Sequence, residues 1–200
     1  MSDYIFLFDM DSTITSKEVL PEVSKKIGRY DEVKKITEAT MNGEIPFRTS
    51  FLNRVRILSD ISVKEVNQIV SDMPLNPFIV DFIKKNEERC YIVTGNLDIW
   101  ISGLMKKIKM EEHCYCSKAN VTNDKISKVV SVADKELIAK QFVQPLVVIG
   151  DGDNDSGMAK MADIAIGIGA VRPIAQSLLR NLDFAFYDDK RCANFLWSLL

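Results

Sequence analysis

Three short runs of apolar residues stand out along the chain: 4–8 (YIFLF), 91–93 (YIV) and 146–149 (LVVI). Each stops at a polar or glycine-bearing step, at Asp9, at Thr94-Gly95 and at Gly150-Asp151. Unbroken apolar runs of this length read as parallel strands buried on both faces. Residues 164–166 and 184–186 are weaker runs of the same kind. Between the runs, apolar positions recur at helical spacing over about 76–86, 97–109, 135–143, 155–161, 172–180 and 189–199. Strands alternating with helices predict an α/β fold, a Rossmann-like doubly wound parallel sheet.

One stretch breaks the alternation. Residues 15–73 contain no convincing strand and read as helices over about 17–27, 31–41, 46–58 and 62–72. Pro21 falls near the start of the first, where proline is tolerated. Gly43 and Pro46 separate two others, Ser62 and Glu65 have the form of a capping box, and Pro74 and Pro77 close the segment. The reading is a small helical cap, 15–73, inserted after the first strand of a core formed by 1–14 and 74–200.

Composition narrows this picture only slightly. The 200 residues are 46% hydrophobic and 27% charged, with a formal net charge of −2. That is ordinary for a globular protein, and it gives no general reason to expect nucleic acid as a partner. The start, Met1-Ser2-Asp3-Tyr4, lacks the pattern of a signal peptide, and no apolar run is long enough to span a membrane. The expectation is a cytoplasmic protein, monomer or homodimer, whose four cysteines (Cys90, Cys114, Cys116, Cys192) stay reduced. Cys114 and Cys116 lie beside the only histidine, His113, but no second Cys or His pair completes a zinc site.

The polar strand ends carry the chemistry. In an open parallel sheet, ligands bind beyond the carboxyl ends of the strands. There the sequence places Asp9-Met10-Asp11-Ser12-Thr13, then Thr94-Gly95-Asn96, then Gly150-Asp151-Gly152-Asp153-Asn154-Asp155. So many carboxylates repel one another unless a hard cation joins them, and magnesium suits oxygen ligands shared with a phosphate. The last cluster is no calcium loop: Ser156 stands where that loop needs glycine and Ala162 where it needs glutamate. The glycines form no dinucleotide fingerprint.

These motifs, in this order, resemble the haloacid-dehalogenase superfamily of phosphatases, and within it the phosphoserine phosphatases. The signature comprises Asp9-Met10-Asp11-Ser12-Thr13, Thr94-Gly95, a lysine near 135 and Gly150 to Asp155, with a helical insert between the first two motifs. The resemblance implies a Mg2+-dependent phosphomonoester hydrolase in which Asp9 attacks phosphorus and Asp11 serves as acid and then base. It implies a metal held by Asp9, Asp11 (through its carbonyl) and Asp151, with Asp155 supporting it. Thr94, Gly95 and Asn154 would meet the phosphate or the rest of the substrate, and Lys135 would neutralise charge during transfer. Asp134 competes for the lysine's place in an ungapped comparison, but a carboxylate there would repel phosphate.

The resemblance also assigns the cap a role in selecting substrate. Glu18 would meet an amino group, Arg54 a carboxylate, and Met41 and Phe47 the apolar side. Helical spacing bears on Arg54 independently: Phe47, Phe51, Val55 and Leu58 form a stripe that includes Arg54 and excludes Arg56. A charge on that face needs a partner, either a substrate carboxylate or Glu18 itself. The function expected is hydrolysis of a small phosphorylated substrate, phosphoserine first, as in serine biosynthesis. The alternatives are a phosphatase or phosphotransferase for another small metabolite, and a catalytically silent binding protein.

Overall fold

A computed structural model describes residues 3–200; residues 1 and 2 of the expected core lie outside the described residues. Strand β1 (Ile5–Phe8) leads into four helices, α1 (Val19–Ser24), α2 (Tyr30–Met41), α3 (Phe47–Leu58) and α4 (Val63–Ser71). The chain returns through α5 (Pro77–Lys85) to β2 (Cys90–Leu97), α6 (Asp98–Ile108), β3 (Cys114–Thr122) and β4 (Lys125–Ser131). It continues through α7 (Lys135–Ala139), β5 (Leu146–Gly150), α8 (Ser156–Ala159), β6 (Ile164–Ile168), α9 (Gln176–Leu179), β7 (Phe184–Phe186) and α10 (Asp189–Ser198).

The strands form one seven-stranded sheet in the order β4-β3-β2-β1-β5-β6-β7, parallel except for the β3–β4 pair. The α/β, doubly wound architecture read from the pattern is therefore present. β1 lies at the centre and its side chains alternate between two cores. Phe6 and Phe8 face one side with Phe82, Trp100 and Leu196, while Leu7 faces the other with Val148, Ala165 and Leu178. The rings of Phe6 and Phe82 meet edge to face at 5.1 Å. Each such side chain, once buried, contributes roughly 1.5–3 kcal/mol. Later strands are laid to one side of β1 through β2 and to the other through β5, so the sheet's switch point opens between β1 and β5.

All four helices expected between 15 and 73 form, with ends shifted by a few residues at most. Ser62 caps α4 by accepting the Glu65 N–H at 3.2 Å, while the Glu65 carboxylate pairs with Lys26 at 3.1 Å. The two ends of this segment run side by side: Ser16 N–H donates to Pro74 O and Asn76 N–H to Ile14 O, both at 2.9 Å.

Three features depart from the pattern. First, the hydropathy pattern assigns no element to 110–134, yet β3 and β4 form a hairpin there. β4 and the second half of β3 are largely exposed, and Lys and Ser interrupt both strands, so no apolar run marks them. Asn123 and Asp124, both at positive φ (52° and 61°), make its two-residue turn. The hairpin tip also serves α4, since Asp124 accepts from Val63 N (2.8 Å, through its carbonyl) and Lys64 N (3.2 Å, through its carboxylate). Second, β2 runs on through Thr94-Gly95-Asn96 to Leu97, with a register break against β3. Third, α7, α8 and α9 are only four or five residues long. Pro173 disfavours helix at Arg172, and α9 starts only at Gln176.

Candidate active site

Asp9 follows β1 directly, its N–H donating to Ile149 O of β5 at 2.8 Å. That bond sets Asp9 at the switch point, beside the end of β5, where Gly150 leads into Asp151. Asp9, Asp151 and Asp155 are buried and present carboxylate oxygens that all lie within 4.8 Å of one another. The strand ends thus gather three of the acidic residues that the sequence placed there.

Lys135 and Arg172 supply the opposing charge. Lys135, 4% exposed, donates to Asp9 Oδ1 and to Asp155 Oδ1, the latter at 2.6 Å. Asp134 instead caps α7 by accepting the Leu137 N–H at 3.0 Å, so the lysine and not its neighbour reaches the cluster. The other Asp155 oxygen accepts from Asp151 N (3.0 Å) and Gly152 N (2.9 Å), fixing the turn after β5. This turn needs Gly150, because a Cβ there would lie 2.4 Å from Asp155 Oδ2. Arg172 donates through Nε to Asp151 Oδ2 and pairs with Glu18 Oε1 at 3.0 Å. Its Nη2 is buried without a partner. Sequence reasoning missed Arg172, which lies far from every motif. Its one signal is a charged residue shortly after an apolar run, before a proline.

Asp11 points elsewhere. One of its carboxylate oxygens accepts from Val19 N at 2.7 Å, and the other from Asn96 Nδ2. Asn96, a second residue the sequence reading left without a role, also bonds Thr94 Oγ1 through its backbone N–H (3.2 Å) and its side chain (3.1 Å). Thr94 is fully buried. Ser117 links β2 to the strand beside it: its hydroxyl donates to Gly95 O at 2.7 Å and accepts from Ala133 N at 3.0 Å. It thereby ties the Gly95 turn to the segment that carries Lys135.

A tight pocket, with about 20 Å³ of room for water-sized occupants, lies over these residues. Asp9, Asp11, Gly95, Asn96 and Asn154 form its floor, and Glu18, Met41, Phe47, Phe51 and Arg54 its upper wall. Glu18, Met41, Phe47 and Arg54, all from the helical segment 15–73, therefore reach one cavity. The Phe47 and Phe51 rings stack at 5.7 Å. Arg54 is 3% exposed, on the apolar face of α3 as the spacing predicts, while Arg56 is exposed. Arg54 donates to Thr37 Oγ1 (2.9 Å) and Ser50 O (3.4 Å) and forms no ion pair among the described residues. Glu18 is held by Arg172 and by Ser12 Oγ (3.2 Å) instead.

Burial dominates the titration of this site. It raises Asp9 from 3.8 to about 8 despite Lys135, and Glu18 from 4.5 to about 7 with help from Asp11. Asp11 and Asp151 are raised for the same reason. Burial also lowers Arg54, with Glu18 and Asp11 acting against it. Buried carboxylates so hard to ionise are the setting in which a bound cation gains most. The all-oxygen donor set of Asp9, Asp151 and Asp155 fits a hard divalent ion.

Comparison with known proteins finds similar chains. The phosphoserine phosphatase of Methanocaldococcus jannaschii is 28% identical over 184 residues, covering 85% of this chain and 87% of that protein. That of Archaeoglobus fulgidus is 27% identical over 181 residues, 83% of this chain and 52% of that protein, so this chain spans about half of that relative. A solved structure described as a phospho-aspartyl intermediate analogue of phosphoserine phosphatase shares the fold, with TM-score 0.82 and 24% identity over 98% of this chain and 99% of the other. No helix among the described residues is long and apolar enough to cross a membrane. A family model of haloacid dehalogenase-like hydrolases matches residues 5–163, from β1 through the Asp151–Asp155 turn, and the chain belongs to that family.

Proposed function

We propose that the chain hydrolyses small phosphomonoesters through an aspartyl-phosphate, with phosphoserine as substrate. The observation that carries the substrate reading is Arg54, a buried guanidinium in the cavity wall with no carboxylate in ion-pair contact among the described residues. A buried charge without a partner is costly, and a substrate carboxylate would supply one. Glu18, in the same wall, suits an amino group. A phosphorylated amino acid presents both groups beside its phosphate, and Met41 and Phe47 would pack on its short carbon chain. In this reading the helices between 15 and 73 act as a cap that selects, and the residues at the sheet's edge react.

Asp9 attacks phosphorus, and the bond to the leaving oxygen breaks as the aspartyl-phosphate forms. Asp11, held by Val19 N and Asn96, gives its proton to the leaving oxygen and then takes one from the water that cleaves the intermediate. A raised Asp11 pKa suits the first of these steps, because the group must begin protonated. Lys135 holds Asp9 in place and offsets the charge of the transferring phosphoryl group. Gly95 and Asn154 meet the phosphate or the substrate body. Thr94, engaged with Asn96, shapes the phosphate turn. Mg2+ would be held by Asp9, Asp151 and the Asp11 carbonyl, with Asp155 behind them, and would supply charge neutralisation on the phosphate. Four free thiols suit a reducing compartment, and we place the enzyme in the cytoplasm on that ground.

The test is magnesium-dependent phosphate release from phosphoserine and from an aryl phosphate. Asp9→Asn should abolish both reactions. Arg54→Ala should cost phosphoserine roughly ten- to a hundredfold in kcat/KM and the aryl phosphate much less, since a charge-assisted bond is lost only in the first. Equal losses on both substrates would remove Arg54 as the reader. Turnover by Asp9→Asn would remove the covalent mechanism.

A further inference from the structure

On the far side of α6 from the cap, β3 presents a second chemical cluster. Cys114 and Cys116 stand two apart on the strand, so both thiols face the same way. Both are half-buried and line a surface cavity walled by Ser102, Met105 and Asp98. The Lys118 ammonium, also at this cavity, lies 3.7 Å from Cys116 Sγ and 3.6 Å from Asp98 Oδ2. The chain's other two cysteines, Cys90 and Cys192, are fully buried. We propose that Cys114 and Cys116 form a peroxide-reactive dithiol site, with Cys116 as the attacking sulfur and Cys114 as the resolving one.

The two thiols are differentiated. A hydrogen bond from Cys114, aided by Lys118, lowers the Cys116 pKa, although burial and Asp98 oppose it. The same hydrogen bond raises Cys114 well above the ordinary thiol range, and burial adds to it. Burial raises Cys90, and raises Cys192 from 9.0 to about 12. The cluster therefore combines the three features a reactive thiol needs: a stabilised thiolate, access, and a second thiol in contact.

The chemistry balances with hydrogen peroxide as oxidant. The Cys116 thiolate attacks one peroxide oxygen. An S–O bond forms, the O–O bond breaks, and hydroxide leaves to take a proton as water. Cys116 is now a sulfenic acid, oxidised by two electrons, and the hydrogen bond that held the Cys114 proton is gone. Cys114 sulfur attacks Cys116 sulfur, the S–S bond forms and the S–O bond breaks. The departing hydroxide takes the Cys114 proton as a second water. The Cα atoms of alternate strand residues are separated by about 6.5 Å, near the upper end of the disulfide range. Parallel side chains put the Cβ atoms at about that separation too, beyond the roughly 3.5–4.5 Å of a disulfide, so the strand must leave its extended form here to close the bond. The β2–β3 register already breaks opposite this segment.

The experiment uses the full reduced chain with near-stoichiometric hydrogen peroxide, then alkylation, trypsin and mass spectrometry. Both thiols fall in the single tryptic peptide 110–118. That peptide should lose two hydrogens while Cys90 and Cys192 remain available to the alkylating reagent after unfolding. Cys114→Ser should stop at the sulfenic acid, trapped on Cys116 by dimedone. Cys116→Ser and Lys118→Met should slow peroxide consumption, the first by roughly tenfold or more and the second by a few-fold. First oxidation at Cys90 or Cys192, disulfide-linked dimers in place of the internal bond, or a Cys116→Ser chain as reactive as the parent would overturn the proposal.

Discussion

The ring of Phe47 rests on the α-carbon of Gly95: a Cβ built there would lie 2.2 Å from Phe47 Cζ and 2.9 Å from Cε1. Here α3 meets the tip of β2, and the cavity's upper wall touches its floor. Gly95→Ala should push the ring aside and shift the wall by about an ångström, which typically costs on the order of a hundredfold in rate when the site is catalytic. The thermal midpoint should move little, because Phe47 sits at a half-exposed edge. Steady-state kinetics on phosphoserine measure the effect, and adding Phe47→Leu should recover part of it. A Gly95→Ala enzyme with parental kinetics would show that this contact does not shape the site.

Arg172 joins Asp151 to Glu18. Arg172→Gln leaves buried Asp151 and half-buried Glu18 short of a cation, and should destabilise the metal-free chain by about 1–3 kcal/mol. Saturating magnesium should remove much of that deficit by neutralising Asp151. Denaturant titrations with and without magnesium compare the two. A deficit of the same size in both conditions would detach Arg172 from the metal site.

Asp155 is all acceptor: one oxygen takes Lys135, the other takes two backbone N–H groups. Asp155→Asn turns an amide N–H toward one of these donors and halves the charge facing Lys135. Removing one partner of a buried ion pair costs about 3–5 kcal/mol. The variant should show a markedly lower unfolding midpoint and no measurable turnover. An active enzyme of parental stability would mean the turn after β5 is held by other contacts.

Stability should depend on pH in one direction when metal is absent. Asp9 is raised from 3.8 to about 8 and Glu18 from 4.5 to about 7, so the folded chain holds these protons more tightly than the unfolded one. Their contribution is complete below the unfolded values and fades as pH rises through the folded ones. Metal-free protein should therefore lose stability between pH 5 and about 8. Saturating magnesium should flatten that slope, because the ion takes the place of the protons. Chemical denaturation at several pH values reads both curves. Rising stability over this range without metal would contradict the burial account of Asp9.

What the sequence discloses follows from which face of each element is wet. β1 and β5 are buried on both sides, so their apolar runs announce them, and the acidic residues after them inherit a position at the switch point. The α3 stripe is legible for the same reason, and it places Arg54 correctly. The β3–β4 hairpin is not, because its exposed strands carry no run. Only the Asn123-Asp124 pair hints at its turn. The choice of Lys135 over Asp134 rests on charge alone in the sequence; in the structure Lys135 reaches Asp9 and Asp155 while Asp134 caps α7. Arg172 and Asn96 stay hidden because their roles arise from contacts across distant segments, 154 residues apart for Arg172 and Glu18 (172 less 18). No local pattern encodes such a pairing.

The bridge between Thr15 and Leu75, flanked by the bonds Ser16–Pro74 and Asn76–Ile14, means that the helical segment leaves and rejoins the backbone just after Asp9 at two adjacent positions. The segment's length can therefore change without spreading those two positions, so long as its contacts through Val19, Glu18 and the α4 face are kept. Grafting the helices of a relative between positions 16 and 74 is therefore a direct route to redirecting this catalyst, provided the newcomer brings its own stand-in for Arg54 and Phe47.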